Sequence, residues 1–394
     1  MNDTMLAKKA AVFNAIDARR VALVDLARRI HREPESKFEE VKASRWLSEA
    51  ARAAGFRVEK ALAGLETAFR ATYSSPRPGP TIAFLAEYDA LPKLGHACGH
   101  NLIGPASLGA ALGLSVVLDD ITGSVQIIGT PGEEGGGGKV TLTEAGVFDG
   151  VDAAMLVHPA SRTILWKHAL ARRKLLVEFF GKAAHAAASP EKGISALDAT
   201  LQTFSSINAL REHILNSSRI HGIITHGGDA PNIVPDYSAS LFYIRARVDD
   251  YCDELLEKVQ NCARGAAIAT GATEAMEMQG AYRSLRTNGP LAQTFKSNLE
   301  GLGWTFDEVD PAEGIGSTDM GDVSHAIPAI HPYISIGPED LVGHSPEFAA
   351  ASASEQAFEA MIGAAKAMAA TAVDVILQPD LYEAIRADFE ADPT

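Results

Sequence analysis

Residues 81–129 read TIAFLAEYDALPKLGHACGHNLIGPASLGAALGLSVVLDDITGSVQIIG, and the order of patterns in this stretch decides the fold. Thr81–Leu85 and Gly123–Gly129 are short, apolar and rich in strand-forming residues, and the Gly/Ala-rich run Gly104–Leu118 between them has the length and composition of a buried helix. Downstream, a helix is expected near 139–147 and a further strand over Val151–Val157 (VDAAMLV). Upstream, Leu6, Val12, Phe13, Ile16, Leu23, Leu26 and Ile30 recur at helical spacing over 5–30, and 39–54 follows as a second amphipathic helix. Strand, helix, strand in this order predicts an α/β domain, a mixed but mostly parallel sheet with helices on both faces. Ligands of such sheets sit at the carboxyl ends of the strands.

From about residue 172 the rhythm changes. A long strand (KLLVEFF), a helix with Ile194, Leu197, Leu201, Phe204 and Ile207 on one side, strands near 219–226 and 237–247, a helix at 249–267 and a strand near 273–279 follow in turn. Strand, helix, strand, strand, helix, strand is the ferredoxin-like α+β order. Residues 172–284 are therefore read as an inserted domain, and 1–171 with 285–394 as the first domain split around it. Long helices are expected over 351–376 and 379–391.

The chain of 394 residues is 46% apolar and 22% charged, which suits folded domains with full cores and not a disordered, collagenous or coiled-coil chain. With 35 Lys and Arg against 50 Asp and Glu, the net charge of −15 offers no basic footprint for nucleic acid or for an anionic membrane. Three cysteines, Cys98, Cys252 and Cys262, are too few and too scattered for a disulfide framework. Charges interrupt the apolar residues of the N-terminus, and no apolar run of spanning length is expected without polar breaks. A cytoplasmic enzyme is the expectation.

The chemistry-bearing residues cluster at strand ends. Gly95–Asn101 (GHACGHN) puts Cys98 and His100 two apart in a glycine-flanked turn, where a thiolate and an imidazole can converge on one ion; the structural alternative is a buried thiol and a helix-capping histidine. Thr130–Lys139 (TPGEEGGGGK) follows the next strand. Two adjacent carboxylates and four glycines repel and cost backbone entropy, a conflict that a cation would offset. One glutamate can then ligate metal while its neighbour serves as a general base. Phosphate cradling fails on spacing, since Glu133 stands where a P-loop needs glycine and Val140 where it needs Ser or Thr. His158 in LVHP and His344 in VGHSP end two further strands. Cys98, His100, Glu134, His158 and His344 make five ligands, more than one tetrahedral ion with an open position can use but suited to two.

Eight segments in order, EYDALP, GHACGHN, GTPGEEGGGGK, the strand-end His-Pro, GKAAHAAASP, THGGDAPNIVP, GSTDMGDVS and GHS, give the chain its resemblance to the M20 family of metallopeptidases and amidohydrolases, over essentially its whole length. The pattern resembles the D branch of aminoacylases, p-aminobenzoyl-glutamate hydrolases and dipeptidases. Gly132 stands where the family commonly has Ala in Pro-Ala-Glu-Glu. The resemblance implies a zinc-exopeptidase-like catalytic domain with an inserted lid that dimerises. It implies two divalent ions (Zn, Mn, Co or Ni) on Cys98, His100, Glu134, His158 and His344, with Glu133 as the base. In the lid, His185 would bind substrate or stabilise the oxyanion, and His226 and Asn232 would belong to the substrate site. The reaction implied is hydrolysis of an amide bond of a small N-acyl or N-aroyl amino acid or dipeptide. Deamination of a small aromatic amine at the same metal site, and non-catalytic binding on a retained fold, are the alternatives. Among lesser candidates, Asp89 is either an orienting partner of a ligand or a turn cap, His96 either packs or ligates, and Arg245 and Arg247 either hold a substrate carboxylate or line a solvated strand face. His325 and His331 are placed outside the site.

Overall fold

A computed structural model describes residues 3–309 and 316–391. The described chain divides into two units, one of 3–167, 286–309 and 322–391 and a second of 168–285 and 316–321. The short segment 316–321 joins the second unit, where Leu170 N donates to Gly316 O at 3.0 Å.

The first unit opens with α1 (Asp3–Ala18), α2 (Arg20–Arg32) and α3 (Val41–Ala53). The apolar periodicity of 5–30 is thus split at Arg19, which stands between the two helices with φ −102 and ψ 0. The strands β1 (Arg57–Lys60), β2 (Phe69–Ser74), β3 (Thr81–Ala86), β4 (Ser124–Gly129) and β5 (Ala153–Met155) alternate with α4 (His100–Leu118) and α5 (Gly138–Glu144). A short strand, β6 (His158–Ala160), follows.

In the second unit come β7 (Ala171–Phe180), α6 (Ala196–Leu210), β8 (Arg219–His226), β9 (Tyr237–Ala246), α7 (Asp249–Thr270) and β10 (Thr273–Tyr282). The chain ends with α8 (Gly289–Glu300), α9 (Met320–Ala326), β11 (Ala329–Ile330), β12 (Tyr333–Ser335), α10 (Pro346–Ala351), α11 (Glu355–Leu377) and α12 (Pro379–Ala391).

The main sheet has the order β1-β2-β4-β3-β5-β11, and β6 pairs with β12 beside it. From β4 to β11 every pairing is parallel, while β1 and β2 are added antiparallel at one edge. α4 is buried nearly all round, which explains its uniformly apolar and small composition. Its Gly113 lets α1 approach: an added Cβ would stand 2.6 Å from Ile16 Cγ1, so Gly113→Val overpacks the core at a cost of about 1–3 kcal/mol. Contrary to the expectation drawn from sequence, α4 and α11 are each long and apolar enough to cross a bilayer, but 89% of each apolar window is buried inside the protein. They are core helices, lying against each other.

The second unit's sheet, β10-β7-β9-β8, is antiparallel throughout, the strand order of the ferredoxin-like fold. Strand alternation explains its two faces. Leu175, Val177, Phe179, Phe242 and Ile244 point to one side, where they bury against Ala199 and Ile207 of α6 and Cys252, Leu255 and Val259 of α7. Arg172, Tyr243, Arg245 and Tyr282 have the opposite parity and lie on the face away from that core.

Candidate metal centre

The parallel strands β3, β4 and β5 end side by side, with Ala86 opposite Gly129 and Phe84 opposite Met155. The loops leaving these ends carry the candidate residues, so one edge of one sheet gathers side chains far apart in sequence. His100 is the first residue of α4, and Gly99 before it takes φ +78. A Cβ there would also strike the Pro159 ring at 2.8 Å, so the Cys-Gly-His turn requires its glycine. Glu133 and Glu134 occupy the loop between β4 and α5, His158 begins β6, and His344 (φ +59) is tied by its N–H to Ala97 O at 2.9 Å.

Three overlapping groups result: Cys98, His100 and His158; Cys98, Glu134 and His344; His100, Glu133 and Glu134. Within each, the ligand atoms lie within 4.8 Å of one another. Cys98 Sγ is 3.6 Å from His158 Nε2 and 3.5 Å from His344 Nε2, which is 3.5 Å from Glu134 Oε1. His100 Nε2 and Glu134 Oε1 are buried with no hydrogen-bond partner among the described residues. Orphaned donors of this kind, in a mixed thiol, imidazole and carboxylate set, fit a divalent cation.

The surroundings prepare these ligands. Asp89 is fully buried and has two tasks: Oδ1 lies 2.9 Å from His100 Nδ1, and Oδ2 accepts from Glu134 N at 2.9 Å. It therefore orients a histidine and a glutamate at once, the orienting role of the two readings open in sequence. His158 Nδ1 lies 2.7 Å from Pro159 O, leaving Nε2 turned to Cys98. Burial and the neighbouring His100 pull His158 down to about 4, so its imidazole is neutral and able to ligate at neutral pH. Burial, with Glu134 and Glu133 adding to it, pushes the Cys98 thiol well up; a bound cation would favour the thiolate instead. His96 packs with His31, its Nε2 3.2 Å from Ile30 O, apart from all three groups.

Three residues escaped sequence reasoning. Glu87 and Lys139 are both fully buried and joined at 2.6 Å, and Glu87 Oε2 lies 3.4 Å from His100 Nε2. Burial alone would raise the Glu87 carboxyl, but Lys139 first and then His100 outweigh it and hold it at about 2. His331, placed outside the site from sequence, has its ring centred 5.5 Å from that of His158, tilted by 52°, with both ring nitrogens buried and, among the described residues, unpartnered. A charged residue continuing the buried strand TIAFLA was the available signal for Glu87.

His185, His226 and Asn232 belong to the second unit. His185 pairs with Ile233, and Ala186 N donates to Asn232 O at 3.0 Å, so His185 and Asn232 share one exposed corner. Ala187 N and Ala188 N both donate to His185 Nδ1 at 3.2 Å, which leaves the ring proton on an outward Nε2. His226 lies 5.2 Å from the Tyr237 ring and 3.8 Å from Asp229. On the sheet face away from the core, Arg172 and Arg245 are directly opposite one another, and Arg172 is buried. Arg172 stacks 3.6 Å over Tyr282, and the Nε atoms of both arginines, like Ser317 Oγ, are buried without partners among the described residues. Neither guanidinium meets a carboxylate among those residues, whereas Arg173, one residue on, faces the core side and binds Asp253 at 2.6 Å.

A divalent-metal hydrolase built on an α/β sheet is the class this arrangement defines. The sequence matches the family model of peptidase family M20/M25/M40 over residues 83–371, and the chain belongs to that family, whose members hydrolyse C–N bonds. It is 39% identical to the Xaa-Arg dipeptidase of Mus musculus over 98% of this chain and 92% of that protein. It is 36% identical to one of the subunits of the p-aminobenzoyl-glutamate hydrolase of Escherichia coli, over 77% of this chain and 68% of that one. The fold is shared with a dinuclear metal-binding M20 peptidase of Bacillus subtilis, at a TM-score of 0.71 and 21% identity, covering 91% of this chain and 99% of that one.

Proposed function

We propose that the protein hydrolyses the amide bond of a small dipeptide or N-acyl or N-aroyl amino acid with a free carboxylate, dipeptides ending in arginine being the first candidates. The convergence of Cys98, His100, Glu133, Glu134, His158 and His344 at one sheet edge carries this reading. Cys98, His100, Glu134, His158 and His344 hold two divalent ions, zinc, manganese, cobalt or nickel, which supply Lewis acidity to a water and to the scissile carbonyl. Glu133 takes the proton of the attacking water and passes it to the leaving nitrogen. His185, its proton on Nε2, donates to the developing oxyanion, and His226 and Asn232 shape the substrate site.

The substrate carboxylate is held by Arg245 and Arg172. Two adjacent guanidiniums with no carboxylate of their own among the described residues support that assignment, because an anion relieves both the mutual repulsion and the unpartnered Nε groups. The second unit serves as the lid and dimerises through its outer strand β8, whose Ile223 and Ile224 are exposed. A thiol ligand suits a reducing, cytoplasmic setting. Deamination and non-catalytic binding draw no support from the relatives.

A hydrolysis screen tests the proposal. Xaa-Arg dipeptides, aroyl-glutamates and N-acyl amino acids are incubated with zinc, manganese, cobalt or nickel, and free amino acid and ammonia are measured separately. Release of amino acid without ammonia is expected. Ammonia as the product, or no turnover with any ion, overturns the proposal.

A further inference from the structure

Glu40 lies at the start of α3, far in sequence from every candidate ligand, and is fully buried. Its carboxylate is fully engaged: Oε1 accepts from Phe38 N at 2.8 Å and from Gly132 N at 2.9 Å, and Oε2 accepts from Thr67 Oγ1 at 2.8 Å. Gly132 is the residue before Glu133. Its carbonyl is held as firmly as its N–H, accepting from Gly136 N at 3.0 Å and Gly137 N at 2.9 Å. The backbone carrying the glutamate pair is thus clamped on both sides of one residue, although four glycines follow the pair.

The local backbone is bent to make the clamp. Phe38 adopts φ +64, a costly conformation for an aromatic residue, and places its ring against the loop. Added Cβ atoms on Gly132 and Gly136 would lie 2.7 and 2.6 Å from that ring. Gly132 itself has φ +72, so this position needs glycine for its conformation and for the close approach of Phe38. Strain at Phe38, a buried carboxylate and a required glycine all converge on one short stretch of backbone.

We infer that Glu40 is a positioning residue, a buried hook on the Gly132 N–H that sets the direction of Glu133 for proton transfer. This rests on the reading of Glu133 as the general base. A displacement of about 1 Å in a catalytic group can cost about 10²-fold in rate, and while Asp89 holds the Glu134 N–H on the far side of Glu133, Glu40 holds the Gly132 N–H on the near side.

The test uses the metal-loaded enzyme and four variants: Glu40→Ala, Glu40→Asp, Glu40→Gln and Glu133→Gln. Glu40→Asp keeps a carboxylate but withdraws it by one methylene, and remains informative if Glu40→Ala fails to fold. Glu40→Gln keeps an oxygen able to accept from Gly132 N. The expected result is a kcat at least about ten-fold lower in the Ala and Asp variants, with metal content unchanged and KM within about three-fold, and kcat restored to within about three-fold of wild type in Glu40→Gln. A double variant Glu40→Asp/Glu133→Gln should be no slower than Glu133→Gln alone, because both act on one step. Wild-type kcat in Glu40→Asp overturns the inference, as do a Gln variant as slow as Asp, metal loss in step with kcat, or independent losses in the double variant. A fully active Glu133→Gln instead defeats the base assignment by itself, so the two failures are told apart.

Discussion

Each unit crowds groups of like charge or like chemistry, and the two do so with opposite sign. At the sheet edge of the first unit, Glu133 and Glu134 stand beside a thiol and three imidazoles. On the sheet face of the second that lies away from its core, Arg172 and Arg245 are cross-strand neighbours with no acid to meet them among the described residues. Directly opposed like charges destabilise a sheet, and buried unpartnered polar groups cost about 1–3 kcal/mol each. On the proposed reading, a bound cation in one unit and the substrate carboxylate in the other would strike the balance. The chain resolves the same conflict internally elsewhere, with Lys139 against Glu87 and Asp253 against Arg173, so the unbalanced pairs stand out by contrast.

The harshest way to break the comparison is at Glu133. Glu133→Gln should retain its ions and lose turnover by about 10²–10⁴-fold, the usual range for removing a general base. Metal analysis beside steady-state kinetics decides it, and a wild-type rate sinks the assignment. Next in size is the cation itself. Cys98→Ala should lower metal stoichiometry and abolish the metal-dependent rise in melting temperature; an ion present at about 100 times its dissociation constant stabilises by about 2.7 kcal/mol. Unchanged metal content in that variant would remove Cys98 from the ligand set.

The anion side should respond differently. Arg245→Ala is expected to raise KM by about ten- to hundred-fold with kcat nearly unchanged, since charge-assisted hydrogen bonds to a remote carboxylate are made equally in ground and transition states. A substrate capped as the carboxamide should be a poor one for wild type and variant alike. If the capped substrate distinguishes the two enzymes as strongly as the free acid does, the carboxylate is not what Arg245 binds.

These contrasts also explain what could be read in the sequence. TIAFL and GSVQIIG stand out as strands because buried parallel strands are apolar on both faces, and the candidate ligands stand out because each follows such a strand. Arg57–Lys60 and Phe69–Ser74 form an antiparallel edge with half-exposed, charge-bearing strands, so no apolar run marks them and these two strands were not picked out, although a mixed sheet was expected. The break between α1 and α2 was invisible because Ile16 and Leu23 keep helical spacing across it. Glu40 and Arg172 carried no signal of burial, since nothing in the local pattern tells a charged side chain buried in the fold from one in water.

The smallest expected effect separates two buried carboxylates within the first unit. Glu87 has Lys139 against it and stays ionised, held at about 2. Glu40 has no such cation among the described residues; burial and the nearby Asp89 raise it from 4.5 to about 7. A carboxyl raised on folding adds stability that is complete below its unfolded value and is lost as pH climbs through the folded one. Wild type should therefore lose, between about pH 4.5 and 7, a contribution that Glu40→Gln cannot lose. Every pH unit separating the folded from the unfolded value is worth about 1.36 kcal/mol, so the difference approaches about 3 kcal/mol. Denaturant melts of both proteins, metal-free so that the ligands titrate alike and cancel, should show Glu40→Gln gaining on wild type from about pH 5 to about pH 8. A constant difference across that window would mean that Glu40 keeps its charge in the fold, and that its three hydrogen-bond donors do for it what Lys139 does for Glu87.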